Sequence, residues 1–301
     1  MSPKNHRSAF VALIGRPNCG KSTFMNTLVG EELAMVTPLP QTTRKNLRGI
    51  YTSRELQLVF IDTPGIHRGK HLLNKTMVEK SSRLLKRRDV DVICLIVDCS
   101  RQPAEEEDLV VQLTLESGIP ALVVFNKKDL CPSVDKFVAS YFDRYPELRS
   151  CIHLAVSATE KETKDKFLKA IAPLVSEGPE YFPADNLTDA DMRYFAAEYV
   201  RKHVIRNTKD EVPHAIFVEV KAYRESIDRH FVEVELHVET EGQKAIIIGR
   251  KGALIKKIQR EAAQDLKRLT GIPATIVGHV KISPKWRDDE RFLRERGFAT
   301  K

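Results

Sequence analysis

The chain has 301 residues, of which 49 are Lys or Arg and 41 are Asp or Glu, giving a formal charge of +8. With 42% hydrophobic and 30% charged residues, it can bury a core and stay soluble, which excludes fibrous and low-complexity classes. No apolar run is longer than the six residues of 92–97, far short of the roughly 20 residues a bilayer span needs.

The polar, mixed start predicts neither a signal nor a transit peptide. Five cysteines without a C-x-x-C pair argue against disulfides and zinc ribbons and for a reducing cytosol. The nine histidines lack metal-ligand spacing.

In chain order, residues 9–15, 57–62, 90–98, 121–126 and 152–157 are predicted strands. Residues 22–29, 77–87, 105–117 and 161–175 are predicted helices. Continuous apolar strands alternating with helices predict a mostly parallel sheet covered on both faces. Residues 176–183, with two prolines and a glycine, predict a linker. Beyond it, Thr188 is the expected cap of a helix running to about residue 206. Residues 214–221 and 230–240 alternate with period two, predicting an antiparallel pair with one wet face. Helices are expected at 243–248 and 252–269, and a strand at 274–282. The expected organisation is an α/β phosphate-loop domain over 1–180, then a smaller α+β domain over 181–301 with a C-terminal tail helix.

Residues 1–180 hold 26 basic against 22 acidic side chains, and residues 181–301 hold 23 against 19. The surplus is thus equal in the two halves, and concentration shows only locally. Residues 242–260 contain Lys244, Arg250, Lys251, Lys256, Lys257 and Arg260 and no acid.

The first half carries Gly15-Arg16-Pro17-Asn18-Cys19-Gly20-Lys21-Ser22, followed by Thr23. This is a phosphate-binding loop, placed between a predicted strand and a predicted helix as the motif requires. Its amides and the helix dipole favour phosphate. Lys21 suits the β- and γ-phosphates, and the Ser22 hydroxyl suits Mg²⁺. Asp62-Thr63-Pro64-Gly65 ends an apolar strand, where the acid can reach Mg²⁺ through water and the Gly65 amide can meet the γ-phosphate.

Asn126-Lys127-Lys128-Asp129 follows another apolar strand. A carboxylate at Asp129 accepts from guanine N1–H and N2–H₂, whereas adenine would leave it badly paired. Asn126 braces that loop, the Lys127 stem lies along the base, and the Ser157-Ala158 backbone can reach the base O6.

These elements resemble the translation-factor class of GTPases over residues 9–175. The resemblance implies a threonine on Mg²⁺ in the GTP state, with Thr43 favoured and Thr42 kept as the alternative. It sets Ile66 where Ras-like relatives carry a water-orienting glutamine, so slow intrinsic hydrolysis is expected. It also implies that Asn18 helps to hold potassium, whose charge acts where an arginine finger otherwise would. Catalysis is thereby assigned to Lys21, Thr43, Gly65 and Asn18.

In the second half, Ile248-Gly249-Arg250-Lys251-Gly252 lies between two predicted helices, with Lys256 and Lys257 beyond. Two glycines around two cations resemble the clamp by which KH domains hold about four nucleotides. Trp286, the single tryptophan, either stacks on a base or pins the tail to the domain.

From about residue 8 to 298 the chain resembles the Era family. Its marks are the phosphate loop, Pro40-Gln41-Thr42-Thr43-Arg44, Asp62-Thr63-Pro64-Gly65-Ile66-His67 and the tail beginning Pro284-Lys285-Trp286-Arg287. The resemblance implies a monomer that binds GTP and GDP with rapid exchange and binds 16S ribosomal RNA near its 3′ end. It implies assistance to 30S subunit maturation, in the cytoplasm with some peripheral inner-membrane association.

Overall fold

The computed structural model describes residues 6–37, 43–44, 46–66, 71–87 and 89–298. Thr42 and His67 lie outside the described residues. The chain divides into two compact units between Asp189 and Ala190.

The first unit is built on a six-stranded sheet in the order β2-β3-β1-β4-β5-β6. These are β1 (Arg7–Ile14), β2 (Leu47–Thr52), β3 (Leu56–Asp62), β4 (Val92–Asp98), β5 (Ala121–Asn126) and β6 (Ile152–Ala155). All neighbours are parallel except β2, which runs antiparallel to β3. Every residue of β3 and β4 is buried, as expected of strands covered on both faces. The helices are α1 (Lys21–Val29), α2 (Leu72–Lys86), α3 (Glu105–Ser117), α4 (Val134–Arg144) and α5 (Thr163–Ile171). One large cluster joins Ile14, Leu95, Val97 and Phe125 of the sheet to Val110 of α3 and Tyr141 of α4. With this parallel order, β1, β3, β4 and β5 all end on one edge, where open α/β sheets bind ligands.

Residues 176–183 are no free linker. Glu177 forms a bridge with Arg7, and Gly178 N–H donates to His6 O at 3.1 Å. The buried Gln57 side chain donates to Phe182 O at 2.8 Å and accepts from the Tyr181 and Phe182 amides. Further on, Leu187 O accepts from Ile50 N at 2.8 Å and the Thr188 hydroxyl donates to Arg48 O, so the chain beyond residue 183 lies along the outer edge of β2. The units therefore divide nine residues beyond the boundary expected at 180.

The second unit has a three-stranded sheet, β7 (Phe217–Glu225), β8 (His230–Val238) and β9 (Ala274–Ile282), with β7–β8 antiparallel and β8–β9 parallel. Helices α6 (Met192–Asn207), α7 (Val212–Ala215), α8 (Glu241–Ile248), α9 (Ala253–Thr270) and α10 (Glu290–Glu295) complete it. Val232, Val234, Leu236 and Val238 pack on Val200 and Val204 of α6 and Ile258 and Leu266 of α9. On the opposite face Glu233 and Glu235 are not fully buried, but His237 is, because the tail covers it. Thr188 does not cap α6. Its hydroxyl donates to Arg48 O, and Asp191 caps the helix by accepting from the Tyr194 amide at 2.8 Å.

Candidate functional site

Three strand ends converge on the loop after β1. Lys21, at the start of α1, is buried, and its Nζ donates to the carbonyls of Gly15 (3.2 Å) and Arg16 (2.9 Å). Ser22 Oγ donates to Asp62 Oδ2 at 2.6 Å and lies 3.0 Å from Thr43 Oγ1, which in turn lies 3.1 Å from Asp62 Oδ2. The three sequence-predicted magnesium-side oxygens therefore meet at one point. Asp62 Oδ1 is buried and has no hydrogen-bond partner among the described residues. Burial pushes the Asp62 carboxyl up, against the pull of Lys21 and the hydroxyls of Ser22 and Thr43. A fully buried carboxylate with a spare oxygen and two hydroxyls is a hard-oxygen donor set that fits Mg²⁺.

A cavity of about 460 Å³ opens beside this point, lined by Pro17, Asn18, Gly20, Lys21, Ser22, Thr23, Thr43, Gly65 and Lys127. Met35, Val36 and Thr37 also line it, though no motif marks them. Gly65 packs so closely on Pro17 that a Cβ would lie 2.8 Å from the Pro17 Cα. Only glycine lets the two loops meet.

The remaining predicted residues divide between the cavity and its supports. Asn126 Nδ2 donates to Cys19 O at 2.9 Å, reaching from its own loop to the phosphate loop. Its Oδ1 accepts from the Ala158 amide at 2.9 Å, tying the Ser157-Ala158 backbone to the guanine loop. The Ser157 hydroxyl pairs with Thr159. Asp129 is exposed, while Lys128 pairs with Glu160 at 2.7 Å rather than facing the cavity. The Arg16 side chain is buried against Glu107, 2.6 Å away, and contributes only its carbonyl to the loop. The Cys19 and Ile66 side chains are fully buried. Ile66 sits in the core cluster and cannot touch an attacking water. The Thr63 hydroxyl serves Leu13 O, and Pro64 is buried with it.

In the second unit, α8 ends at Gly249 (φ 70°, ψ 174°), and α9 starts after Gly252 (φ 76°). Between them Arg250 and Lys251 are exposed, as are Lys256 and Lys257 on α9, whereas Ile248 is half-buried. Lys257 Nζ donates to Asn207 Oδ1 at 2.7 Å. Trp286 is 1% exposed, and its Nε1 donates to Ala215 O at 2.7 Å. Its ring packs on Phe217 and Phe292. Of the two readings of Trp286, the structure supports the second: it pins the tail, and the reading as an RNA contact stacked on a base is set aside because the ring is buried. Nearby, Glu219, Glu235 and His237 are spaced as metal ligands. However, Lys221, Lys281 and Arg296 lie within 3.9 Å of these carboxylates. Three cations already neutralise the group, so it is an ion-pair network that seats the tail.

Residues 10–127 match the family described as 50S ribosome-binding GTPase, and residues 211–287 match the KH domain family. GTPase Era of Geobacter metallireducens is 39% identical over 99% of this chain and 100% of its own length. The chain belongs to the Era family of GTPases. GTPase Era of Ruminiclostridium cellulolyticum is 37% identical over 98% of the chain and 99% of its own length. Two solved Era structures share the whole fold at 31% identity, covering 98% of this chain and 100% of theirs. One is an Aquifex aeolicus Era variant bound to GDP·AlF4⁻, with a TM-score of 0.91. The other is Era with MgGDPNP and nucleotides 1506–1542 of 16S ribosomal RNA, with a TM-score of 0.92. Era proteins are GTPases, and the α/β unit followed by a KH unit, expected from the sequence, is their architecture. Among the described residues no helix is long and apolar enough to cross a membrane.

Proposed function

We propose that this chain is a GTP-hydrolysing switch that binds 16S ribosomal RNA near its 3′ end and assists 30S subunit maturation. The observation that carries the nucleotide half is the meeting of Ser22, Thr43 and Asp62 beside Lys21. Ser22, Thr43 and Asp62 would hold Mg²⁺, whose charge there offsets that of the β- and γ-phosphates. Lys21 exchanges two loop carbonyls for phosphate oxygens when nucleotide enters. Asp129 selects guanine, and Gly65 and Thr43 respond to the γ-phosphate, so hydrolysis releases their loops. With Ile66 in the core, no side chain at that position orients the water. Asn18, lining the cavity with φ 60°, is the proposed potassium ligand. Arg250, Lys251, Lys256 and Lys257 neutralise RNA phosphates while the Gly249–Gly252 turn lets the backbone approach them. The proposed place of action is the cytosol, as a monomer, with peripheral inner-membrane contact belonging to the same proposal.

The test is GTP turnover in potassium buffer with and without an RNA copying the 3′ end of 16S ribosomal RNA. A rise with that RNA and none with a scrambled one supports the switch. Binding of neither nucleotide nor RNA overturns it. Replacing Asn18 with Ala and finding potassium dependence unchanged removes the potassium assignment.

A further inference from the structure

Asp98, the last residue of β4, is fully buried, yet none of the family motifs includes it. Its Oδ1 accepts from the Ser100 amide at 3.0 Å and the Ser100 hydroxyl at 2.5 Å. Its Oδ2 accepts from Arg101 Nε at 2.9 Å and from Lys127 Nζ at 2.8 Å. Each of these two cations reaches one step further. Lys127 Nζ donates to Asn18 O at 2.7 Å, and Arg101 Nη2 donates to Pro17 O at 3.1 Å. One carboxylate thus holds two cations, and those cations hold two consecutive carbonyls of the phosphate loop. Burial alone would raise the Asp98 carboxyl, but the hydrogen bonds from Lys127 and Ser100 and the Lys127 charge hold it below the usual range.

The direction of those carbonyls matters. In a trans peptide the C=O and the following N–H point opposite ways. Pinning Pro17 O and Asn18 O outward turns the amides of Asn18 and Cys19 inward, toward the anion they are to bind. The Cys19 amide is otherwise held only loosely, 3.5 Å from Arg16 O. Lys127 takes φ 61°, an uncommon backbone conformation for a side-chain residue. In that conformation its ammonium bridges Asp98 and Asn18 while its stem remains in the guanine loop.

We propose that Asp98 is a positioning residue for nucleotide binding, clamping the phosphate loop to the guanine loop through Lys127 and Arg101. This rests on the GTP-binding reading above. The grip on the base and the grip on the phosphates are then set by the same carboxylate, and loosening one loosens the other.

The test is the release rate of a fluorescent GDP from the full chain carrying Asp98→Asn, Arg101→Ala or both. A lost charge-assisted hydrogen bond predicts release about tenfold faster for Asp98→Asn and about threefold faster for Arg101→Ala. The double variant should release no faster than Asp98→Asn, because Arg101 acts through Asp98. A fully multiplicative double variant, or release within experimental error of wild type in both singles, overturns the clamp. Arg101 is half exposed, so Arg101→Ala decides the matter alone should Asp98→Asn fail to fold. A wild-type chain that binds no GDP sinks the GTP-binding reading itself, whereas wild-type GDP binding with either of the overturning outcomes above sinks only the clamp.

Discussion

Glu107 is almost wholly enclosed, with Arg16 at 2.6 Å and the Tyr141 hydroxyl donating to its other oxygen at 3.2 Å. Burial raises its carboxyl, and Arg16 and Tyr141 pull the other way. Such a pair contributes little net stability, but removing one partner strands the other at a cost of about 3–5 kcal/mol. Urea denaturation of Glu107→Ala should show a loss of that order, and replacing Arg16 and Glu107 together by apolar residues should cost less. His237 gives a pH prediction. Burial and the Arg296 charge depress its ring, against Glu219 and Glu235, while Ser283, Phe217 and Phe292 fill its other sides. The unfolded ring titrates near about 6.5. Between the folded and unfolded values the unfolded chain binds more protons. Stability is therefore present above that pH and is lost as pH falls through the folded value. Thermal melts should fall from pH 7.5 to 5.5 more steeply for wild type than for His237→Gln. Lys21, Ser22, Asp62 and Asn126 were legible because nucleotide chemistry fixes their spacing. Asp98, Arg101 and Glu107 were not, since a residue that acts through another needs only proximity in the fold. The one available signal was an acid closing an apolar strand, at Asp98 as at Asp62.

At the scale of elements, the turn between α8 and α9 makes an asymmetric demand on its two glycines. A Cβ on Gly249 would lie 2.7 Å from the Leu254 Cβ, and its φ and ψ belong to a region only glycine enters readily. A Cβ on Gly252 meets nothing within 4 Å, leaving only the cost of positive φ. Gly252→Ala should cost about 1 kcal/mol and Gly249→Ala about 2–3 kcal/mol or more by urea denaturation. Most elements were readable from periodicity, but three were not, the short α7 lying where the strand expected at 214–221 was to begin. Strand β2 has charge and glycine within six residues, Leu47-Arg48-Gly49-Ile50-Tyr51-Thr52, and owes its form to pairing with β3. Helix α4 buries only Phe137, Tyr141 and Phe142, a narrow stripe that tertiary packing, not propensity, makes helical. The α6 start was misplaced because Thr188 and Asp191 are both good caps, and Arg48 O captures the Thr188 hydroxyl.

Over the whole molecule, the charge surplus is shared equally, so RNA affinity should depend on the local basic turn and not on net charge. Arg250→Asp with Lys251→Asp should lower the slope of log affinity against log salt by roughly 1.4, at about 0.7 per single-strand phosphate contact. GDP binding in the other unit should persist. The segment after residue 176 has a practical meaning for dissecting the protein. Proline and glycine there suggest a place to cut, yet Gln57 is completely buried beneath Tyr181 and Phe182. A fragment ending at 180 would leave that amide with Thr52 Oγ1 alone, its carbonyl oxygen stripped of both donors, and bare the backbone of β2, an invitation to edge-to-edge association. One ending at 189 keeps Leu187 on Ile50 and the Arg48–Asp189 ion pair. The smallest autonomous nucleotide-binding piece is thus longer than its punctuation suggests. On gel filtration the shorter fragment should aggregate where the longer one elutes as a single species.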